Sequence, residues 1–254
     1  MNKDYFATRR SVRSYRPEPV ADELLDSIIE RAMRAPTTGN MQLYSVVVTT
    51  SAEGKQALSP AHFGQPAVEG CAAVLTVCAD LKRFVRWCEL SGADPGFDNF
   101  LSFVSAMLDA TIFAQQICTI AEMEGLGTCY MGTVTFNAAQ VAEILELPDM
   151  VVPVACITLG YPAAEGTPTE RLPLEAVMHK EKYRRDSDAD IMRLFRAKDD
   201  YEPNAAYVAE HGKKNIAQVF TDVRYPREMN ETFSRSFLEF LHRQGFLPAA
   251  PEGV

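Results

Sequence analysis

Positive charge is scarce in this chain of 254 residues: 25 lysines and arginines stand against 34 aspartates and glutamates, for a formal charge of -9. That balance argues against a general nucleic-acid binder, which needs a basic face to neutralise phosphates. Histidine is rarer still. His62, His179, His211 and His242 are scattered without ligand spacing, so no metal is expected. Six cysteines occur, at 71, 78, 88, 118, 129 and 156, and none forms a Cys-x-x-Cys pair. Most sit among apolar neighbours, as in Val77-Cys78-Ala79 and Ala155-Cys156-Ile157, which predicts buried free thiols in a reducing cytosol. No window of about 18 uncharged apolar residues exists, so no membrane span is expected. The start, Met1-Asn2-Lys3-Asp4-Tyr5-Phe6, lacks the apolar core of a secretory signal, and the expected location is cytoplasmic. Neither a Ser-His-Asp nor a Cys-His constellation for nucleophilic catalysis is recognisable.

What is present suits a folded protein of ordinary composition, with 47% apolar and 23% charged residues. Leu24, Leu25, Ile28, Ile29, Ala32 and Met33 recur on one face of a helix that starts at Ala21 and is stopped by Pro36. A loop of small hydroxyl and amide side chains follows, Ala35 to Gln42. Tyr44–Thr49, Ala73–Ala79 and Val151–Leu159 read as buried strands, and Thr128–Met131 as a further extended segment. Residues 82–99 are mixed, with Trp87 and Phe97 as core aromatics or pocket lining. Asn99 to Glu124 is a long helix that is apolar on nearly every face, so it needs cover all round, from the core or from a second subunit. Gly125-x-Gly127 reads as its C-terminal cap rather than a phosphate loop. A short helix is expected from Asn137 to Leu145. Residues 180–230 are rich in charge, with loops at Lys198-Asp199-Asp200 and Gly212-Lys213-Lys214, and an amphipathic helix runs from about Met229 to Gln244 before Gly245.

One stretch cuts against the acidic average. Arg9-Arg10-Ser11-Val12-Arg13, closed by Arg16-Pro17, packs three arginines around a serine. Guanidinium forks and a hydroxyl make a good receptor for a phosphate monoester. A solvated basic helix end is the other reading.

This run, the loop Pro36-Thr37-Thr38-Gly39-Asn40-Met41-Gln42, the segment Gly127-Thr128-Cys129-Tyr130-Met131-Gly132-Thr133 and the strand end Leu159-Gly160-Tyr161-Pro162 resemble, in order and spacing, the FMN-dependent nitroreductase family over about the first 175 residues. Arg171-Leu172-Pro173, the charged tail and the terminal helix resemble its branch of oxygen-insensitive NADPH nitroreductases and flavin reductases. The resemblance implies an α+β fold, a mainly antiparallel sheet flanked by helices. It implies an FMN-binding core over residues 1–175 and a helical extension over 176–254 packed on the core or the partner subunit, within one structural domain.

The resemblance also implies the site. Arg9, Arg10 and Ser11 take the FMN phosphate at the start of a helical segment, joined by Arg171; Thr169 stands where that branch usually has a lysine. Arg13 lies beside the pyrimidine edge of the ring, where a cation offsets the charge that develops at N1 and O2 on reduction. Gln65 is an amide at the same edge. Tyr130, Met131, Gly132 and Thr133 line the ring, with the backbone N–H groups of Gly132 and Thr133 facing N5 and O4. A second glycine is common in the family at position 133. Pro36, Thr37, Thr38, Asn40 and Gln42 contact flavin from the opposite subunit, so a homodimer with FMN at its interface is implied. Lys213, Lys214 and His211 are candidates for the nucleotide donor, NADPH or NADH.

The expected activity is NAD(P)H-dependent flavin oxidoreduction in two half-reactions, with small electron-poor aromatics (nitroarenes, quinones, flavins) as acceptors. The cofactor performs the chemistry, so no side chain is expected to be catalytic and Arg13 tunes the ring. Two alternatives stay open: other flavin chemistry on the same fold, such as dehalogenation or dehydrogenation, and a flavin-binding or regulatory dimer with little turnover.

Overall fold

Three apolar runs rich in β-branched residues and the shorter segment Gly127–Tyr130 form the strands, and their pairing sets the frame for everything else. The computed structural model describes residues 4–164 and 166–247. Strands β1 (Tyr44–Thr49), β2 (Ala73–Asp80), β3 (Gly127–Tyr130) and β4 (Val151–Gly160) make one sheet in the order β1-β2-β4-β3, with every pairing antiparallel. The expected α+β class is what the structure shows. β2 is buried along its whole length, which is why it reads as an unbroken apolar run rather than an alternating one.

In chain order the helices are α1 (Asp4–Thr8), α2 (Asp22–Ala32), α3 (Ala52–Leu58), α4 (Pro66–Gly70), α5 (Lys82–Leu90), α6 (Phe100–Met123), α7 (Thr133–Phe136), α8 (Ala138–Ile144), α9 (Asp188–Asp200), α10 (Glu202–Glu210), α11 (Ile216–Val219) and α12 (Arg227–Arg243). The described residues fall into two compact units. The larger holds residues 11–164, 166 and 233–247; the smaller holds 4–10 and 167–232.

The larger unit is built around α6. Asn99 caps it, its side chain accepting from the Ser102 N–H, and Gly125 at φ 83° carries the chain out of it. Ala106, Ala110, Phe113, Ala114, Ile117 and Ala121 recur at helical spacing and are fully buried, several of them against Leu75 and Val77 of β2 and Ile157 of β4. The opposite face is bare: Leu101 is 73% exposed, Leu108 54% and Ile112 43%. Among the described residues α6 is the one helix long and apolar enough to cross a membrane, yet half of it is buried inside the protein, Asp109 included. The apolar side of α12 packs within the same unit, where Phe240 and Leu241 join Phe103, Leu43 and Phe246 in a second cluster.

Two sequence expectations need correction. The mixed stretch after residue 82 contains a regular helix, α5, whose single tryptophan is 61% exposed and so belongs to no core. Lys198-Asp199-Asp200 is the last turn of α9 rather than a loop. That helix is nucleated by a capping box in which Ser187 and Asp190 bond reciprocally, and it buries only Leu194. With so narrow an apolar stripe, its periodicity is faint in the sequence. All six cysteines are buried, as their neighbours predict, and burial pushes the Cys71 thiol up to about 11 and Cys78 up to about 12.

Candidate functional site

The arginine run leaves a helix instead of opening one. α1 ends at Thr8, and residues 9–14 are irregular, so Arg9–Ser11 do not open a helix of their own. Arg9 and Arg10 fall in the smaller unit with Arg171; Ser11 and Arg13 fall in the larger. Arg10 is half-buried, and its buried Nε meets no acceptor among the described residues. A cationic donor left without an acceptor suits a bound anion. Arg171 is exposed, and its Nη1 donates to Thr169 Oγ1 at 2.7 Å and to the carbonyl of Glu170 at 2.9 Å. Thr169, standing where a lysine is usual, thereby orients the arginine that remains.

Within the larger unit, the chain after Ser11 is laid along the sheet. The Val12 N–H donates to the Thr128 carbonyl at 2.9 Å, the Arg16 N–H to Tyr161 at 2.8 Å, and Tyr15 bridges to Pro162. The Tyr15 hydroxyl reaches the carbonyl of Val12 at 2.6 Å and that of Thr158 at 3.0 Å, and burial raises its pKa. Two glycines permit this contact. A Cβ on Gly127 would meet the Val12 side chain at 2.6–2.8 Å, and one on Gly160 would meet the Tyr15 ring at 3.1 Å. Gly127 therefore serves close packing, where the sequence suggests a helix cap. Arg13 projects from this stretch and is exposed.

The expected ring-contact residues come from two segments that the structure clasps together. Phe63 at φ 56° and Gly64 at φ 63° turn the chain into half-buried Gln65, just before α4. Facing this turn are Gly132 and α7. His62 Nδ1 and Thr133 Oγ1 share a hydrogen bond of 2.7 Å, and Asn137 Nδ2 donates to the Ala61 carbonyl at 2.7 Å. Phe233 of α12 stacks on Phe136 at 4.8 Å and meets Phe63 edge-on at 5.9 Å. His62 is fully buried, its Nε2 lies 3.6 Å from Cys156 Sγ, and desolvation pulls its pKa down to about 4, so the imidazole is neutral at pH 7. Gly132 is exposed, with no atom within 4 Å of where a Cβ would stand. Met131 differs from its neighbours. Its side chain is buried in a core cluster with Leu58, Val68 and Val141, so it offers a ligand only main-chain atoms.

The loop 36–42 is anchored on other elements of the same unit. Gly39, Asn40 and Gln42 all hold φ near +55°. Asp109 of α6, 2% exposed, accepts from both the N–H and the hydroxyl of Thr38 at 2.9 Å, while its other oxygen has no partner among the described residues. Thr37 Oγ1 accepts from the Gln42 N–H, and Arg83 Nη2 donates to the carbonyls of Gln42 and Tyr44. Pro36, Asn40 and Gln42 remain exposed beside a cleft of about 410 Å³ lined by Met33, Met41, Gln42, Tyr44 and Phe113 among others.

Known proteins place this geometry. The model of the nitroreductase family matches residues 6–161. The chain belongs to the nitroreductase family. An FMN reductase [NAD(P)H] of Bacillus subtilis (strain 168) is 32% identical over 245 residues, covering 93% of this chain and 94% of that one. The oxygen-insensitive NADPH nitroreductase of Salmonella typhimurium is 30% identical over 237 residues, with coverage of 93% and 94%. A solved structure from Bacteroides fragilis NCTC 9343 is 44% identical with a TM-score of 0.95, covering 96% of this chain and all of that one. This nitroreductase-family chain thus has relatives named as NAD(P)H-dependent flavin and nitro reductases. Within the larger unit, the open main chain at Gly132, clasped to the turn before Gln65 through His62 and Thr133, leaves room for a planar ring such as that of FMN.

Three positions matter to this architecture that the sequence does not single out for function. Asp109 carries a visible signal, a carboxylate in the middle of an apolar helix. His62 stands three residues before Gln65 but looks like any stray histidine, and Phe233 looks like ordinary helix core. Lys213 is committed to Asp222 at 2.9 Å, and the His211 ring lies tilted against Tyr207, their centroids 4.5 Å apart.

Proposed function

We propose that this protein is an FMN-dependent NAD(P)H oxidoreductase that reduces nitroaromatics, quinones or free flavins, and that it works as a homodimer. The observation that carries this reading is the exposed, side-chain-free backbone at Gly132 held against the Gln65 turn, in a nitroreductase-family chain. Bound FMN supplies the two-electron chemistry. The protein's own residues bind and tune. Gly132, lacking a Cβ, would let a planar ring approach the main chain, and the N–H groups at 132 and 133 would be the donors available to it. Gln65 and Arg13 serve the pyrimidine edge, where the guanidinium offsets developing negative charge. Arg9, Arg10, Ser11 and Arg171 are the residues that would take the FMN phosphate. Nicotinamide donor and electron acceptor occupy one pocket in turn, a ping-pong order that needs no nucleophilic side chain.

The test is optical. Purified protein loaded with FMN should be yellow, bleach under anaerobic NADPH or NADH, and regain colour with a nitroarene or quinone. Protein that cannot be loaded with FMN overturns the reading. Yellow protein that neither nucleotide bleaches favours a flavin-binding module instead. Replacing Arg13 with Ala should lower the reduction potential of the bound flavin and leave the dimer intact; an unchanged potential would remove Arg13 from the ring.

A further inference from the structure

We propose that His62 is a positioning residue for the cofactor-binding main chain: by holding the Thr133 hydroxyl, it fixes the N–H groups of Gly132 and Thr133 that face the ring. This rests on the flavin reading above and extends it to a side chain that touches no ligand.

The local structure cannot fix that orientation unaided. α7 is a single turn of four residues, and no side chain caps it. A lone turn is far below the length at which a helix holds its own shape, so its attitude is set by tertiary contacts. Two of these, Asn137 to Ala61 and Phe136 to Phe233, act at its C-terminal end. Val134 anchors the middle of the turn in the core, and among the described residues the His62 contact, at 2.7 Å, is the side-chain hydrogen bond made at residue 133. The hydroxyl is drawn to the imidazole while the space beside Gly132 stays open. A second glycine at 133 would offer no such handle. In this chain the threonine side chain and the buried histidine form one pair.

The imidazole is itself held. It is fully buried between Ala61 and the αL residue Phe63, and Cys156 Sγ lies beside Nε2. A neutral imidazole has one donor nitrogen and one acceptor nitrogen, so it can serve both neighbours at once. A side chain so constrained transmits position rather than merely filling space.

The experiment uses the FMN-reconstituted full chain and four variants: His62→Ala, His62→Asn, Thr133→Val and the His62→Ala/Thr133→Val double variant. The midpoint potential of bound FMN is measured by anaerobic titration, and FMN affinity by fluorescence quenching. His62→Ala and Thr133→Val should each shift the potential and weaken FMN binding up to about tenfold, the range of one lost hydrogen bond. His62→Asn, which keeps a polar atom near Nδ1, should restore much of both. The double variant should match the singles, because one contact is being removed twice. Potentials and affinities equal to wild type in both single variants overturn the inference, as do fully additive effects. If His62→Ala does not fold, Thr133→Val decides alone, since it keeps the side chain's shape. Wild-type protein that takes up no FMN overturns the flavin reading itself, a result distinct from loaded wild type with indifferent variants.

Discussion

Gly127 shows how one missing methyl group can hold a site together. With a Cβ 2.6 Å from Val12, Gly127→Ala must push the irregular segment Ser11–Arg16 off the sheet. Overpacking of this kind costs about 1–3 kcal/mol. Urea unfolding should show a loss in that range, whereas Gly132→Ala, facing open space, should leave stability nearly unchanged. His62 gives a second residue-level expectation, a pH effect. Its folded pKa of about 4 lies below the unfolded value of about 6.5, so the unfolded chain binds the proton first. Its contribution is therefore complete above pH 6.5 and is lost as pH falls toward 4, amounting to roughly 3 kcal/mol. His62→Asn should flatten this part of the stability profile measured between pH 4 and 7; an unchanged slope would assign it to other groups.

Among the elements, the loop 36–42 depends most on a distant partner. Asn40 and Gln42, non-glycine residues held near φ +55°, represent stored backbone strain, and the surrounding contacts must outweigh it. Asp109 supplies two of those contacts. Asp109→Ala strands the Thr38 N–H, at a cost of about 1–3 kcal/mol, and Asp109→Asn keeps an acceptor and should cost less. Hydrogen exchange at Thr38 and Met41 should quicken in the alanine variant; if exchange there matches wild type, other contacts hold the loop. The sequence exposes α6, the strands and the terminal helix because each buries a wide, regular apolar surface, and the period survives in the chain. It conceals α9, which is held by its capping box and by pairs such as Lys198 with Glu170 and Arg193 with Glu175. Such pairs leave no hydrophobic period to read.

On the scale of the whole molecule, the bare face of α6 is the strongest feature. Leu101, Leu108 and Ile112 continue the apolar character of the helix into solvent on the side away from the sheet. A monomer gains nothing from that surface, whereas a second copy would bury it. Leu108→Asp and Ile112→Asp together should convert the proposed dimer to monomer in sedimentation equilibrium and release FMN with it. A double variant that still sediments as a dimer would place the interface elsewhere.

The sequence by itself determined the family and most of the elements. Local rules act there: strands follow β-branched runs, helix ends follow Asn99 and Gly125, and the motif order is carried by the chain. Only the tertiary structure decided which residues meet. His62 and Thr133 lie 71 positions apart, and so do Thr38 and Asp109. No periodicity encodes such pairs, because they are fixed by how the sheet and α6 bring separate loops together. For the same reason the role of Gly127 changed from a helix cap to a close contact, and Met131 turned out to place its side chain in the core.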